Sequence, residues 1–168
     1  AKLATGDIRA DAFVLAAGPR AAALASTFGL KLPVYPIKGY SITVPFLSRS
    51  RPTASVTDLG RKTVFAPLGD QLRVAAMAEI TGYDLAVSPA RVRAMVDSVE
   101  AVYPGLCDTR APQVWSGLRP ATPNSLPIIE RMPQTNLFVN AGHGALGLTL
   151  AAGSAARISD AVVRFAQG

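Results

Sequence analysis

The stretch 136–153, NLFVNAGHGALGLTLAAG, constrains the fold more than any other part of the chain. The short apolar run Asn136–Asn140 reads as a buried strand. It enters a tight turn at Gly142-His143-Gly144, and a long helix is expected from Ala145 to Phe165. The chain opens in the same manner. Asp11–Ala16 (DAFVLA) suits a buried parallel strand, Ala17-Gly18-Pro19 breaks it, and Arg20–Phe28 is an Ala/Leu-rich helix closed by Gly29. Both ends therefore belong to an α/β layer.

The middle follows another rule. Pro33–Pro45 is rich in Val, Ile, Tyr and Thr and alternates at Tyr40–Val44, which predicts a strand. Lys62–Pro67 and Gln71–Met77 flank Leu68-Gly69-Asp70 as a hairpin. Leu85–Tyr103 predicts an amphipathic helix, with Ser88 as N-cap, Pro89 at its first position and Val92, Met95, Val96, Val99 and Val102 at helical spacing. Ala111–Leu118 and Pro127–Ile129 read as short extended pieces. The fold class expected is α+β: α/β pieces at residues 1–33 and 119–168, with an antiparallel-sheet domain at 34–118 between them.

Composition removes several function classes. The net charge is +6 and the pI near 10. The densest basic cluster is only Arg49, Arg51, Arg61 and Lys62, without interleaved aromatics, so no nucleic-acid partner is expected. One Cys, Cys107, and one His, His143, cannot make a four-ligand metal site, so no metal is expected; Cys107 reads as a small loop residue. There is no Ser/His/Asp triad or paired-carboxylate signature. No run of about 18 uninterrupted apolar residues is present, and no membrane span is expected.

Three elements can carry chemistry. Glycines at 142, 144 and 147 let backbone approach a ligand, and the unpaired N–H groups at the start of the following helix favour an anionic or electron-rich group. His143 can bond a ligand or satisfy its own backbone. In WSGLRPATP, Arg119 follows an apolar strand and is held by Pro120; its planar fork suits a carboxylate or phosphate. In YPIKGY, Tyr40 can offer a polar tip to a pocket or belong to an amphipathic strand. An anion-binding arginine with a backbone-rich turn suits an enzyme whose cofactor supplies the reactivity.

In order, KGYSITVP, LGDQLRVAAMAEITGYD, WSGLRPATP and NLFVNAGHGALGLT resemble the FAD-dependent D-amino-acid oxidase/dehydrogenase superfamily, and within it the C-terminal part of the bacterial D-amino-acid dehydrogenase small subunits. The resemblance implies a truncated flavoprotein of the D-amino-acid oxidase type. It implies FAD as cofactor, with Ala17 and Gly18 passing its adenosine side, and Gly142, His143, Gly144, Ala145, Leu146, Gly147 and Thr149 facing the flavin. Gly117 and Pro120 would also lie along the cofactor, Arg119 would bind the substrate carboxylate, and Tyr40 would stand in the substrate pocket. The implied reaction is oxidative deamination of D-amino acids to 2-oxo acids and ammonia by hydride transfer to FAD. The implied acceptor is a quinone or carrier. That places the protein in the bacterial cytoplasm, peripheral on the inner face of the membrane. A related glycine/sarcosine-type amine oxidase and an inactive fragment stay open.

Two departures accompany the resemblance. The family's TPDG is Thr122-Pro123-Asn124-Ser125 here, and the family's opening strand–GxGxxG–helix is absent. The chain is therefore expected to be the C-terminal part of a longer polypeptide, with a missing N-terminal FAD-binding portion as its partner.

Overall fold

The computed structural model describes residues 2–168, and the fold is α+β. In chain order the elements are β1 (Lys2–Leu3), β2 (Gly6–Asp7), β3 (Phe13–Leu15), α1 (Ala21–Ser26), β4 (Tyr35–Pro45), β5 (Val56–Asp58), β6 (Thr63–Leu68) and β7 (Gln71–Glu79). Then follow α2 (Pro89–Val102), β8 (Gln113–Ala121), β9 (Ile128–Arg131), β10 (Leu137–Ala141) and α3 (Gly147–Gln167). Contacts divide the chain into an outer unit, residues up to Pro36 with Arg119–Gly168, and a central unit, Ile37–Leu118. The first division falls three residues past the expected 33.

In the outer unit β3 and β10 pair in parallel, with Phe13 opposite Leu137 and Leu15 opposite Val139. β9 adds antiparallel to the far side of β10, and β1 and β2 form a separate antiparallel pair. α1 is shorter than its sequence pattern. It ends at Ser26 because Gly29 (φ +74) closes it, Gly29 N–H donating to Ser26 and Leu30 N–H to Ala25. Ala21 and Ala25, four residues apart on one side of α1, are fully buried. Ala21, Met132, Val139 and Ala141 form its main buried cluster, and Ala25, Val34, Phe138 and Ile158 are buried beside them in the same unit.

α3 lays Ser154 and Ile158 on the sheet and sets Phe165 edge-on to Phe138, with centroids 5.6 Å apart. By length and composition alone, Gly144–Gln167 is long and apolar enough to cross a bilayer. It carries Arg157, Asp160 and Arg164, and α3 packs on β9 and β10 of the outer sheet.

The central unit is a five-stranded sheet in the order β5-β6-β7-β4-β8 with α2 on one face. Period-two alternation sends Tyr40, Ile42 and Val44 from β4, and Leu72, Val74 and Ala76 from β7, to the α2 side. There they meet Phe65 and the fully buried Met95 and Val99, and Phe65 stands edge-on to Tyr103 at 5.7 Å. The β6–β7 hairpin closes through Gly69-Asp70, Gly69 taking φ +61 where a Cβ would be strained. α2 starts at Pro89 as expected, with the Ser88 carbonyl accepting the Arg91 and Val92 N–H groups; the Ser88 side chain makes no capping bond. Residues 80–88 before it are pinned as a loop, the Asp84 carboxylate accepting the Ala86 N–H at 2.8 Å and Lys38 donating to the Ala86 carbonyl at 3.0 Å.

Between β4 and β7 the register slips: Lys38 faces Glu79, but Tyr40 faces Ala76. Two residues of β7 thus oppose Gly39, a bulge that puts Met77 at φ +70 and packs it against the α2-side core. β8 runs on through Arg119 and Pro120, three residues beyond the expected end; as the edge strand it tolerates a proline that has no N–H to donate. Cys107 is 3% exposed within the core, paired to Phe46 in an isolated bridge, and is not the loop residue expected.

Candidate functional site

Because β3 and β10 are parallel neighbours, their carboxyl ends emerge at the same edge of the outer sheet. In open α/β sheets that edge is where ligands bind. β3 leads to Ala17 and Gly18, and β10 leads to Gly142, so two sequence-predicted segments are brought side by side.

Their backbone is unusual in the same way. Gly18 takes φ +52, Gly142 φ +86 and Gly144 φ +57. At Gly18 and Gly144 a Cβ would meet nothing within 4 Å, so open space lies over both turns. Gly142 is different: it is buried, and a Cβ there would stand 2.6 Å from the Thr122 methyl. Thr122 lies three residues after Arg119, so the end of β8 reaches the glycine turn through the Thr122 methyl. Half-buried Arg119 and Pro120 precede that contact at the end of β8.

After Gly142 a single 3-10 turn, Gly144–Leu146, leads into α3 at Gly147. The helix is thus expected two residues too early at Ala145. Neither the turn nor α3 has a side-chain N-cap, and neither has an acidic residue in its first turn. Ala145, Leu146 and Thr149 are exposed around this start.

His143 does not reach outward. Its Nε2 lies 2.8 Å from Oγ of Ser154, which is 4% exposed, so the imidazole braces the turn against α3. One polar atom was not legible beforehand. Asn140 Oδ1, on β10 just before the turn, is buried and has no hydrogen-bond partner among the described residues. An Asn in an otherwise apolar strand was its only signal.

Together these residues fit a flavin dinucleotide. There are uncapped amides at a helix start, glycine turns over open space, a second turn on the neighbouring strand, and a buried acceptor awaiting a donor. In the Thr122–Ser125 turn, Asn124 Oδ1 accepts the Leu126 N–H at 3.1 Å, and Ser125 sits at φ +60.

Tyr40 and Gly117 lie in the central unit. Tyr40 is 2% exposed and its hydroxyl donates to Glu79 at 2.8 Å, so in this structure it serves a charged mesh rather than presenting a free polar tip. Lys38, 3% exposed, reaches Asp84 at 3.3 Å and Glu79 at 3.6 Å, and Arg91 meets Glu79 at 2.7 Å. The Tyr40 hydroxyl and then the Arg91 guanidinium hold Glu79 below its usual range. The Ala86 N–H and then Lys38 do the same for Asp84. For Lys38 burial pulls downward, but its contacts with Tyr40 and Asp84 outweigh this and leave it raised. Gly117 makes room for Trp115: a Cβ there would lie 2.1 Å from the indole.

The class this arrangement defines is matched by comparison. The FAD dependent oxidoreductase family matches residues 2–161, and the chain belongs to that family. Among relatives, a D-amino acid dehydrogenase of Paramagnetospirillum magneticum is 44% identical over 165 residues; the match covers 96% of this chain and 39% of the relative. Among solved structures, glycine oxidase from Geobacillus kaustophilus superposes with a TM-score of 0.83 at 29% identity, covering 96% of this chain and 44% of that one. Iminodiacetate oxidase from Chelativorans sp. BNC1 gives 0.81 at 26%, covering 95% and 44%. The chain thus spans about two fifths of the length of the curated relatives it matches.

Proposed function

We propose that this chain is the C-terminal portion of a flavin-dependent D-amino-acid dehydrogenase that converts D-amino acids to 2-oxo acids and ammonia. The observation that carries the reading is the pair of glycine turns at one carboxyl edge, ahead of an uncapped helix. The similarity to a D-amino acid dehydrogenase over 96% of the chain supports the substrate.

In this reading the outer unit is the later part of the FAD-binding domain, and the central unit walls the substrate. Gly142–Gly147 and Thr149 hold the flavin end, Ala17 and Gly18 the adenosine side, and Pro120 stiffens the strand between. Arg119 grips the α-carboxylate bidentately and so fixes which hydrogen of the α-carbon is presented; orientation, not a protein base, is the main contribution. Oxidation removes the α-hydrogen with its electron pair and one amine proton, and water then cleaves the C=N bond. FAD, when bound, supplies the two-electron acceptor.

The remaining partners are the N-terminal FAD-binding portion, which would cover the apolar faces left on β3, α1 and α3, and a quinone or carrier met at the inner face of the bacterial cytoplasmic membrane. The likeness to glycine oxidase favours one second reading, a glycine- or sarcosine-type amine oxidase.

The test is Arg119→Ala in the full-length polypeptide. Two charge-assisted bonds are lost, so kcat/KM for D-alanine falls about 100-fold or more, with Arg119→Lys between. Unchanged KM in Arg119→Ala removes the assignment. Comparing D-alanine, glycine and sarcosine with oxygen or an artificial acceptor separates the two readings. Titration of this chain alone with FAD tests the fragment reading, for which weak or no binding is expected.

A further inference from the structure

Gly142 and Gly144, both left-handed, flank one residue, so little in the backbone itself selects a single shape for the turn between β10 and α3. Gly142 is closed in by the Thr122 methyl, but nothing lies within 4 Å of the place a Gly144 Cβ would take. The side chain between the two glycines is then what can fix the turn. His143 is half-buried, with helical backbone at φ −75 and ψ −2, and its carbonyl accepts the Leu146 N–H at 3.0 Å. Its Cβ stands 3.8 Å from where a Gly147 Cβ would be, and its Nε2 lies 2.8 Å from Ser154 Oγ. Gly147 and Ser154 are seven residues apart, within about 20° of each other around α3, so the imidazole lies along one face of the helix.

Ser154 and Ile158 are the residues that α3 buries. In the run AAGSAA an alanine could be buried there at no polar cost, whereas a hydroxyl is costly unless it is bonded. The bond that satisfies it is directional. It fixes the rotation of the ring as well as its distance, which an apolar contact would not do.

We propose that His143 is a positioning residue: hydrogen-bonded to Ser154, it sets the Gly142–Gly144 turn on α3 and so aims the backbone N–H groups of the turn at the flavin. This rests on the flavin reading above, and it gives the imidazole a role exerted through the turn. Ser154 is 4% exposed, too buried to touch a cofactor, so whatever its loss does to FAD passes through His143.

The experiment makes Ser154→Ala, His143→Leu, His143→Gln and the Ser154→Ala/His143→Leu pair in the full-length flavoprotein. FAD affinity is read by titrating the apoprotein, together with the flavin midpoint potential and the apoprotein melting temperature. Loss of one neutral hydrogen bond predicts FAD binding about fivefold weaker in Ser154→Ala. His143→Leu weakens it at least as much, the pair no further than His143→Leu alone, and His143→Gln, whose amide can still bond Ser154, keeps part of the affinity. The midpoint potential falls in Ser154→Ala, because well-aimed N–H groups favour the electron-rich reduced ring. FAD affinity and potential unchanged in Ser154→Ala, whatever the melting temperature does, overturn the proposal and leave the flavin reading standing. Effects of the two substitutions that simply multiply in the pair overturn it as well. A wild type that binds no FAD removes the flavin reading, and the proposal with it.

Discussion

Phe65 and Phe28 are the same residue in opposite circumstances. Phe65 is fully buried between β7, α2 and Tyr103, whereas Phe28 is 62% exposed at the end of α1. Phe28 borders an apolar groove of about 410 Å³, shared with Phe13, Leu15, Leu24 and Leu137. The contrast extends to whole units. The central unit closes its core from its own sequence, with the sheet covered by α2 and the loop ends tied by ion pairs. The outer unit gathers a smaller main cluster, Ala21, Met132, Val139 and Ala141, and leaves Leu148 of α3 at 93% exposure. Apolar patterning alone does not tell a residue that packs within its segment from one whose covering lies elsewhere; only the partner elements do.

The largest effect expected is Phe65→Ala, about 3–5 kcal/mol off the chemical-denaturation stability of the central unit. Next comes the charged mesh. Glu79 and Asp84 are depressed below 4.5 and 3.8, so what they add is present above those values and fades as pH falls through the folded pKa. Lys38 is raised above 10.5, so its share is present below that value and fades as pH climbs further. The melting temperature of the central unit is therefore flat between about pH 5.5 and 8 and falls on both sides, the buried Cys107 thiol adding to Lys38 on the alkaline limb. Glu79→Gln makes the acid limb shallower and Lys38→Met the alkaline one; a Glu79→Gln protein with the original acid limb would sever the mesh from pH stability.

Smaller still, Ser125→Gly relieves a left-handed serine in the outer unit and raises stability by about 0.5–1 kcal/mol in urea titrations. Smallest is Phe28→Ala in this chain, within about 0.5 kcal/mol. A loss there comparable with Phe65→Ala would break the comparison outright, because Phe28 would then have to be buried.

Much of the fold was legible because local rules and tertiary packing agree. Gly29 stops α1, Pro89 starts α2, Gly69-Asp70 turns the hairpin, and the Val/Met spacing of α2 selects its buried side. What was not legible depended on contacts distant in sequence. What fixes the loop 80–88 has no local signal, because it depends on Lys38, more than 40 residues earlier, donating to the Ala86 carbonyl. The bulge at Met77 has no local signature, and Cys107 reads as a turn residue until Phe46 pairs with it. Within the site, the glycine turns announced themselves by composition. The orphaned Asn140 oxygen and the Ser154 brace on His143 did not, because hydrogen-bond satisfaction is a property of three-dimensional neighbours.

Burial of Cys107 has a practical corollary. Removal from water, with the Glu100 charge adding to it, pushes this thiol above its usual range, so little thiolate exists at neutral pH while the central unit is closed. It is the chain's one sulfhydryl. Alkylation by a neutral reagent must wait for the strands around Phe46 to part, and its rate then counts openings of that sheet one molecule at a time.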